Sequence, residues 1–449
     1  MIEGIEMAVT TPDVQADQEN PIAPAAPGAL DVDVFLILVV AALLAFGLLM
    51  VYSTTFDWSY LEYGSPIRIF LRQVRSVLIG LVALVFFWRF DYRLLQRRLV
   101  ATAIMLVTIA ALGLLLLLNS ETVLGATRSF FGGSVQPGEA AKLAVIIYFG
   151  AWLASRREQL HRFGYGLLPF SILVGAVGGL IVLQPDLSTA AIIVLTAWTM
   201  FFVAGANIVQ ILLAGGGAAV VGYLMVMQFG YARERLMEHV AAMQDLTTAS
   251  WHVQQAIIAF TAPGSRPEGA FTPNWFGVGL GQSRQKFGFL PAPHTDSIFA
   301  IIGEELGLFG CLVVIGLLAM FVWRAFRISD ESADPFGKVL AVGIGAWIAY
   351  EALLNVAVMT AVLPFTGVPL PFISYGGSNL VVVLSAVGIL MSISRRKLPA
   401  QRQRQRLRQI PGTATSGVTD YELSPVRDSI PRRARGAVSR VGGRRDEAR

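Results

Sequence analysis

Apolar runs of about 20 residues, the length that spans the hydrocarbon core of a bilayer, recur along this chain. The first begins near Val34 and the last ends near Ile393. The composition agrees, because 55% of the 449 residues are hydrophobic, only 14% are charged, and the mean hydropathy is +0.61. The runs are continuous rather than alternating, which excludes a porin-type barrel. The sequence therefore predicts an all-α polytopic membrane protein.

These runs divide the chain into three regions. Residues 1–32 are acidic and rich in Pro and Ala, residues 33–396 contain the apolar runs, and residues 397–449 form a basic tail. We expect both ends to be disordered, because neither can bury enough apolar surface. The middle region predicts a membrane domain of ten spans, at 34–53, 69–88, 99–118, 139–155, 167–183, 187–204, 208–229, 297–323, 339–363 and 380–393.

The longest segment without a span is the loop of residues 230–296. It contains an amphipathic stretch, residues 236–260, that is suited to the bilayer surface. Ten spans place both termini on one side, and basic residues gather in the loops after the second, fourth and eighth spans and in the tail. The positive-inside rule then predicts cytoplasmic termini and an extracytoplasmic 230–296 loop. The basic tail suggests either nucleic-acid binding or attachment to anionic lipid headgroups, and its position directly after a span favours the lipid interpretation.

The stretch from Gly277 to Gly310 gathers most of the chemistry that the sequence offers. A glycine-rich run leads into Arg284 and Lys286, then two prolines, and then His294, Thr295 and Asp296, after which an apolar span begins at once. Cationic groups, a histidine and a carboxylate are thus delivered to the mouth of a membrane helix. This composition predicts an active site for a phosphate-containing lipid substrate outside the cytoplasm.

Asp296 has two interpretations at this stage. Thr295 or Asp296 is a good N-cap for the eighth span. Alternatively, a carboxylate in a partly dry pocket acts as a general base, because burial raises its pKa. Glu304 and Glu305 lie deeper in the span, where carboxylates are costly and are usually paired within the bundle or functional. We expect at least one of them to be structural.

Other charged residues cluster at the predicted outer ends of the second, fourth and sixth spans. Glu139 and Lys142 are spaced i, i+3 and can pair, and Lys142 could also hold a phosphate. Arg72 and Arg128 lie on the same side, and Asp186 is expected to cap a helix. One outward-facing polar cavity would collect these groups. The sequence has no metal-ligand spacing, no nucleotide-binding loop and a single cysteine, Cys311, so it suggests no cofactor but leaves assistance by a divalent cation open.

Several motifs in combination resemble the SEDS family (shape, elongation, division and sporulation), which includes FtsW and RodA. The resemblance covers about residues 34–396 and is carried by the segments 50–53, 72–73, 125–128, 136–144, 184–189, 279–286, 294–300, 303–307 and 370–378. The run 283–286 and the run 367–374 are more similar to the division branch, FtsW, than to RodA. The family usually has Glu where this chain has Ala292, which removes one candidate for a second carboxylate beside Asp296.

The resemblance implies a peptidoglycan glycosyltransferase that polymerises lipid II. Asp296 matches the family's catalytic Asp, and a base at the outer bilayer surface would take the proton from an acceptor 4-hydroxyl. Cations would bind the leaving pyrophosphate, with Arg72, Arg128, Lys142, Lys286 and His294 as substrate-binding candidates. Direct displacement would invert the anomeric centre. Glu139, Asp186, Glu304 and Glu305 are assigned supporting roles.

The resemblance also implies partners. These are lipid II and the nascent glycan strand, a class B penicillin-binding protein that crosslinks the strands, other membrane proteins of the division machinery and membrane lipids; nucleic acid is not expected. Two rival interpretations from the residues remain at this point, a lipid-linked precursor flippase or transporter and a scaffold with inert charges. A polymerase of the elongation type, similar to RodA, is a further alternative.

Overall fold

The structure is a computed structural model, and it describes residues 32–117, 136–245, 248–261 and 275–395. Within these ranges the chain is all helical, as the sequence predicts. The α-helices are α1 (Val34–Tyr63), α2 (Arg68–Arg89), α3 (Arg98–Leu117), α4 (Pro137–Ser155), α5 (Leu167–Val182), α6 (Leu187–Val203), α7 (Ile208–Gln228), α8 (Gly230–Ala242), α9 (Trp251–Thr261), α10 (Ile298–Glu331), α11 (Pro335–Met359) and α12 (Gly377–Ser394). Short 3-10 helices follow α2 and α4, at Tyr92–Gln96 and Arg157–Gln159.

Seven helices are long and apolar enough to cross a membrane, namely α1, α2, α3, α7, α10, α11 and α12. Two shorter apolar helices, α5 and α6, occupy two more of the predicted spans. Helix α4 occupies the remaining one, and Glu139 and Lys142 lower its hydropathy. The chain is therefore a multi-pass membrane protein, while the count of ten spans stays a prediction.

Two helices extend well beyond the spans predicted for them. The first span was expected to end near Ser53, and α1 continues to Tyr63; within it the hydroxyls of Thr54 and Thr55 donate to the carbonyls of Met50 and Val51. Polar side chains that bond within the helix do not stop it. The eighth span was expected to end at Trp323, but α10 continues to Glu331. Its C-terminal part is held by the guanidinium of Arg324, which forms ion pairs with Asp33 (2.6 Å) and Glu331 (3.3 Å).

The amphipathic stretch predicted at 236–260 falls on two helices. It contains α8 and α9, with a turn between them. His252 of α9 stacks on Phe365, with 4.2 Å between ring centroids, and Arg235 of α8 donates a hydrogen bond of 3.3 Å to the carbonyl oxygen of Phe365. Both helices are thus attached to the loop of residues 360–376, which joins α11 to α12.

The most enclosed helices of the bundle are α4, α11 and α12, whose side chains are mostly buried. Helix α12 approaches α2 closely through glycine: a Cβ atom on Gly388 would lie 2.4 Å from the carbonyl oxygen of Leu84. Small residues at a helix crossing let two membrane helices pack tightly where no hydrophobic effect drives them together. This packing brings the first turns of α2 and α12 side by side, next to the start of α10.

Candidate active site

The backbone of His294, Thr295 and Asp296 is fixed by three donors from the end of α11 and the 360–376 loop. The amide of Tyr375 donates to the carbonyl of His294 (2.8 Å), and the hydroxyl of Ser374 donates to that of Thr295 (2.5 Å). The side-chain amide of Asn355 donates to the carbonyl of Asp296 (2.7 Å). Three consecutive carbonyls are therefore held by a separate part of the chain, which orients the segment before α10.

The carboxylate of Asp296 does not cap α10. The N-cap is Ser297, and it makes no side-chain capping bond. Oδ1 of Asp296 accepts a hydrogen bond from the hydroxyl of Thr295 (2.9 Å), and Oδ2 faces Gly367, where an added Cβ would lie 3.4 Å away. Gly367 has a positive φ of 71°, a backbone conformation that disfavours any residue with a side chain. The capping interpretation of Asp296 is thus wrong in this structure.

The environment of Asp296 shifts its proton affinity. Burial raises the pKa of the carboxyl above its usual range, because the charged form loses hydration. Hydrogen bonds from Thr295 and from nearby backbone amides, together with the charge of Arg235, lower the pKa in part. A partly buried carboxylate with a raised pKa and a fixed backbone has the properties of a general base.

His294 is buried, and its ring packs against two aromatic side chains. Its ring centroid is 4.6 Å from that of Trp58 and 5.4 Å from that of Tyr375. Burial lowers the pKa of His294 to about 4, so the imidazole carries no charge near neutral pH. His294 was expected to bind the substrate, but its neutral ring offers no positive charge for a phosphate. In the structure the ring packs against Trp58 and Tyr375.

Lys286 is occupied by groups within the protein. Its ammonium lies 3.5 Å from Glu305 Oε1, and it donates to the carbonyls of Ser53 (3.2 Å) and Gly281 (2.6 Å). Glu305 also accepts from the hydroxyl of Ser53 (2.6 Å). Lys286 was expected to bind pyrophosphate, but with only 4% of its side chain exposed it instead connects the glycine-rich loop to α1 and α10.

Glu304 is structural, as expected for at least one of the two carboxylates. It accepts from the hydroxyl of Ser283 and from the amide of Arg284 (2.9 Å). Together, Glu304 and Glu305 hold the 281–286 loop against the first turns of α10.

Helix α10 is broken at Gly307, whose φ of 68° and ψ of −163° are not helical. The break frees the carbonyls of Glu304 and Glu305, which accept instead from the amides of Val278 and Gly279, both at 2.9 Å. The freed amide of Phe309 donates to the carbonyl of Trp275 (3.0 Å). Irregular backbone at membrane depth persists only where such partners are supplied, and here the glycine-rich run supplies them.

Lys142 is enclosed between two carboxylates. It forms an ion pair with Glu139 at 2.7 Å, as the spacing predicts, and a second with Glu351 of α11. Its ammonium also lies 5.4 Å from the ring centroid of Trp347. The expectation that Lys142 holds a substrate phosphate is not supported, because its 2%-exposed side chain is already neutralised inside the bundle. The predicted cap is confirmed at Asp186, which accepts from the amide of Thr189 at 3.1 Å.

Arg72 remains at the surface beside the site. It is exposed, with its guanidinium carbon 5.1 Å from the ring centroid of Tyr63. The next residue, Gln73, is buried, and its amide donates to the carbonyl of Ser374 and accepts from the amide of Gly376, both at 3.3 Å. Arg72 therefore projects from a turn that is bonded to the same loop that holds Thr295. Arg128, the other predicted cation, lies outside the described residues.

The sequence profile of the FtsW, RodA and SpoVE family, described as cell cycle protein, matches residues 34–398. The chain belongs to this family. It is 35% identical over 368 residues to the stage V sporulation protein E of Bacillus subtilis, covering 81% of this chain and 97% of that protein. It is 36% identical over 376 residues to the "probable peptidoglycan glycosyltransferase FtsW" of the same organism, covering 81% and 90%. The resemblance drawn from the motifs is thus confirmed.

Solved structures of the family share the fold. The rod shape determining protein RodA of Thermus thermophilus aligns with a TM-score of 0.59 and 22% identity, over 82% of this chain and 98% of that one. A chain from a structure titled for the structural coordination of polymerization and crosslinking by a peptidoglycan synthase complex aligns with a TM-score of 0.64 and 24% identity, over the same shares. At these identities the likeness concerns the fold.

Three residues that shape the site were missed from the sequence: Glu351, Asn355 and Trp58. Glu351 and Asn355 both stand inside an apolar span, where a polar side chain is costly without a partner. That signal could have identified both of them. Trp58 carries no comparable signal, because Trp and Tyr are common near helix ends at membrane interfaces.

Proposed function

We propose that this chain is a peptidoglycan glycosyltransferase that polymerises lipid II at the outer face of the cytoplasmic membrane, in septal cell-wall synthesis. The observation that carries the proposal is the carboxylate of Asp296, which is partly buried and does not cap α10. The backbone of residues 294–296 is held by three hydrogen-bond donors. Several relatives bear the name peptidoglycan glycosyltransferase FtsW, which supports both the reaction and the septal setting.

In this reaction Asp296 acts as the general base. The acceptor sugar's 4-hydroxyl transfers its proton to the carboxylate as its oxygen forms a bond to the anomeric carbon of the donor. The bond from that carbon to the pyrophosphate oxygen breaks, and the electron pair leaves with undecaprenyl pyrophosphate. One base and no covalent intermediate suffice for this displacement, which inverts the anomeric centre. The raised pKa of Asp296 makes the carboxylate a stronger base than an exposed Asp.

Binding of the pyrophosphate falls to Arg72 and Arg128 under this proposal, since Lys142 and Lys286 are held in ion pairs. Arg72 is exposed at the edge of the loop that orients Thr295, and a guanidinium can contact two phosphate oxygens at once. A class B penicillin-binding protein would crosslink the product, in keeping with the synthase complex that shares this fold. Both termini would be cytoplasmic, and further division proteins would bind the membrane domain.

The test is glycan polymerisation from purified lipid II, with the protein and its cognate penicillin-binding protein in one membrane mimic. Asp296→Asn should lower the rate by roughly 10²- to 10⁴-fold, because the base is lost, and should leave lipid II binding near wild type. Asp330→Asn, which removes an exposed carboxylate far along α10, is the matched control. The same polymerisation assay with a chelator added tests whether a divalent cation assists the reaction.

The rival flippase interpretation predicts no polymer from wild type or from the variant. If Asp296→Asn polymerised as fast as wild type, Asp296 would not be the base. If the complex bound and moved lipid II but never formed polymer, the transporter interpretation would replace this one. Arg72→Ala and Arg128→Ala test the pyrophosphate contact separately, and wild-type rates in both would remove that part of the mechanism.

A further inference from the structure

A cleft opens between α3 and α4 at the end of the bundle that carries the basic loops. Its volume is about 450 Å³, and it lies where α3 begins, at Arg98, and where α4 ends, at Ser155. This position is at the opposite end of α4 from Glu139 and Lys142. The cleft is therefore separate from the Asp296 site, and nothing in the proposed reaction uses it.

Two arginines in the wall of this cleft are uncompensated. Arg98 is exposed and Arg156 is half-buried, and neither forms an ion pair with a carboxylate in the described part of the chain. The lining residues include no Asp or Glu. Other enclosed cations of the bundle behave differently, since Lys142 and Arg324 each have two acidic partners. The cleft thus presents net positive charge at a helix crossing.

Aromatic and hydroxyl groups complete the wall. Tyr148, Trp152 and Thr102 line the cleft between the arginines, and the guanidinium of Arg156 lies 5.5 Å from the ring centroid of Trp152. Tyr and Trp side chains prefer the headgroup level of a bilayer. The adjoining surface of α3 is apolar and open to lipid, with Leu106 60% and Val107 69% exposed. A headgroup in the cleft would therefore have room for its acyl chains along α3.

We propose that this cleft binds the headgroup of an anionic phospholipid from the adjacent leaflet. The two guanidinium groups contact the phosphate, and Tyr148 and Thr102 offer hydroxyl groups to the glycerol. Basic pockets between membrane helices on this side recognise anionic headgroups in this way. A zwitterionic lipid fits less well, because its amine would meet no carboxylate in the wall. A soluble phosphate would gain the charges but not the apolar surface of α3.

Native mass spectrometry of delipidated protein tests the proposal. Phosphatidylglycerol and phosphatidylcholine with the same acyl chains are titrated in parallel, with inorganic phosphate as a soluble competitor. Wild type should retain one phosphatidylglycerol more tightly than any phosphatidylcholine. Replacing both Arg98 and Arg156 by Ala should weaken that binding roughly 30-fold, because each arginine near a lipid surface contributes about 1 kcal/mol. Lysine at both positions should keep most of the affinity.

The matched control is Arg327→Ala. Arg327 is exposed and lies over Trp323 at 5.9 Å from the ring centroid, like Arg156 over Trp152, but it does not line this cleft. This variant should bind phosphatidylglycerol as wild type does. Equal binding of the two lipids by wild type, or an unchanged affinity after loss of both cleft arginines, would overturn the proposal. Displacement of the lipid by millimolar inorganic phosphate would point to a soluble phosphate ligand and would overturn it as well. Thermal unfolding without lipid confirms that each variant is folded.

Discussion

Asn355 joins two parts of the site through one amide nitrogen. It donates to the carbonyls of Asp296 and Val368, both at 2.7 Å, from a position that is 1% exposed. Asn355→Ala leaves both carbonyls without this donor, which should cost about 1–3 kcal/mol of stability. Without this hydrogen bond the backbone of Asp296 should be less firmly positioned, which should lower kcat more than it changes KM. Thermal unfolding and lipid II polymerisation measure the two effects.

Asn379→Ala is the control for this prediction, because Asn379 is also buried but its amide nitrogen has no partner in the described residues. It should change the unfolding temperature and the rate less than Asn355→Ala does. Similar losses in the two variants would mean that Asn355 only fills space.

The pH dependence of polymerisation should report on Asp296 and on the charge of Arg235. The base must be ionised, so kcat/KM should fall as the pH falls through the raised pKa of Asp296. Arg235 lowers this pKa, and Arg235→Gln removes the charge while keeping a side-chain donor. The acid limb should therefore move to higher pH, by less than the one to three units that a direct ion pair produces.

Arg233→Gln tests whether that shift is specific, since Arg233 is exposed on the same helix and does not contribute to the pKa of Asp296. Its pH profile should match wild type. An acid limb that moves to lower pH in Arg235→Gln would show that another group sets it.

At the scale of residues, the sequence predicted where the charged side chains are. It did not predict which of them are paired with an opposite charge inside the protein. Lys142 finds Glu351 at a separation of 209 residues, and Lys286 finds a carboxylate on α10. Such pairs depend on how distant helices pack, which neither hydropathy nor local spacing encodes. The role of Asp296 in the site stays a prediction, whereas its capping alternative failed because the helix begins one residue later, with Ser297 as the N-cap.

At the scale of elements, most helix bounds followed from hydropathy, because a lipid-facing helix must be apolar over its whole length. The break in α10 could not be predicted from hydropathy. Gly307 is one of many glycines, and its effect depends on the segment that packs against it. Gly277 is that meeting point. A Cβ atom there would lie 2.3 Å from the backbone carbon of Glu305, at a φ of +69°.

Gly277→Ala should therefore separate the glycine-rich loop from α10. The strained backbone alone costs about 1–3 kcal/mol, and the amides of Val278 and Gly279 would lose their acceptors. We expect a lower unfolding temperature and reduced polymerisation, because Lys286 and Glu305 are positioned by the same loop. Gly316→Ala is the control on α10, where an added Cβ meets nothing within 4 Å. A stability loss of the same size in both variants would exclude a specific role for the contact.

At the scale of the whole molecule, the family and the fold could be read from motifs and apolar runs, but the direction of the bundle rests on charge alone. Arg98 and Arg156 lie at one end, and Arg235 and Asp296 belong to the other, because α8 is bonded to the loop beside the site. The positive-inside rule assigns the first end to the cytoplasm. The proposed enzyme needs that orientation, since its substrate must be reached from outside.

Single-cysteine labelling measures this orientation. In a Cys311→Ala background, Gln244→Cys places a thiol in the exposed turn between α8 and α9, and Glu158→Cys places one in the exposed loop after α4. An impermeant maleimide added to intact cells should label position 244 and should label position 158 only after the membrane is opened. Labelling of position 158 alone in intact cells would show that the bundle has the opposite orientation in the membrane. It would then place Asp296 in the cytoplasm, where a polymerase of extracytoplasmic glycan could not work, and would favour a transporter that collects its lipid-linked cargo from inside.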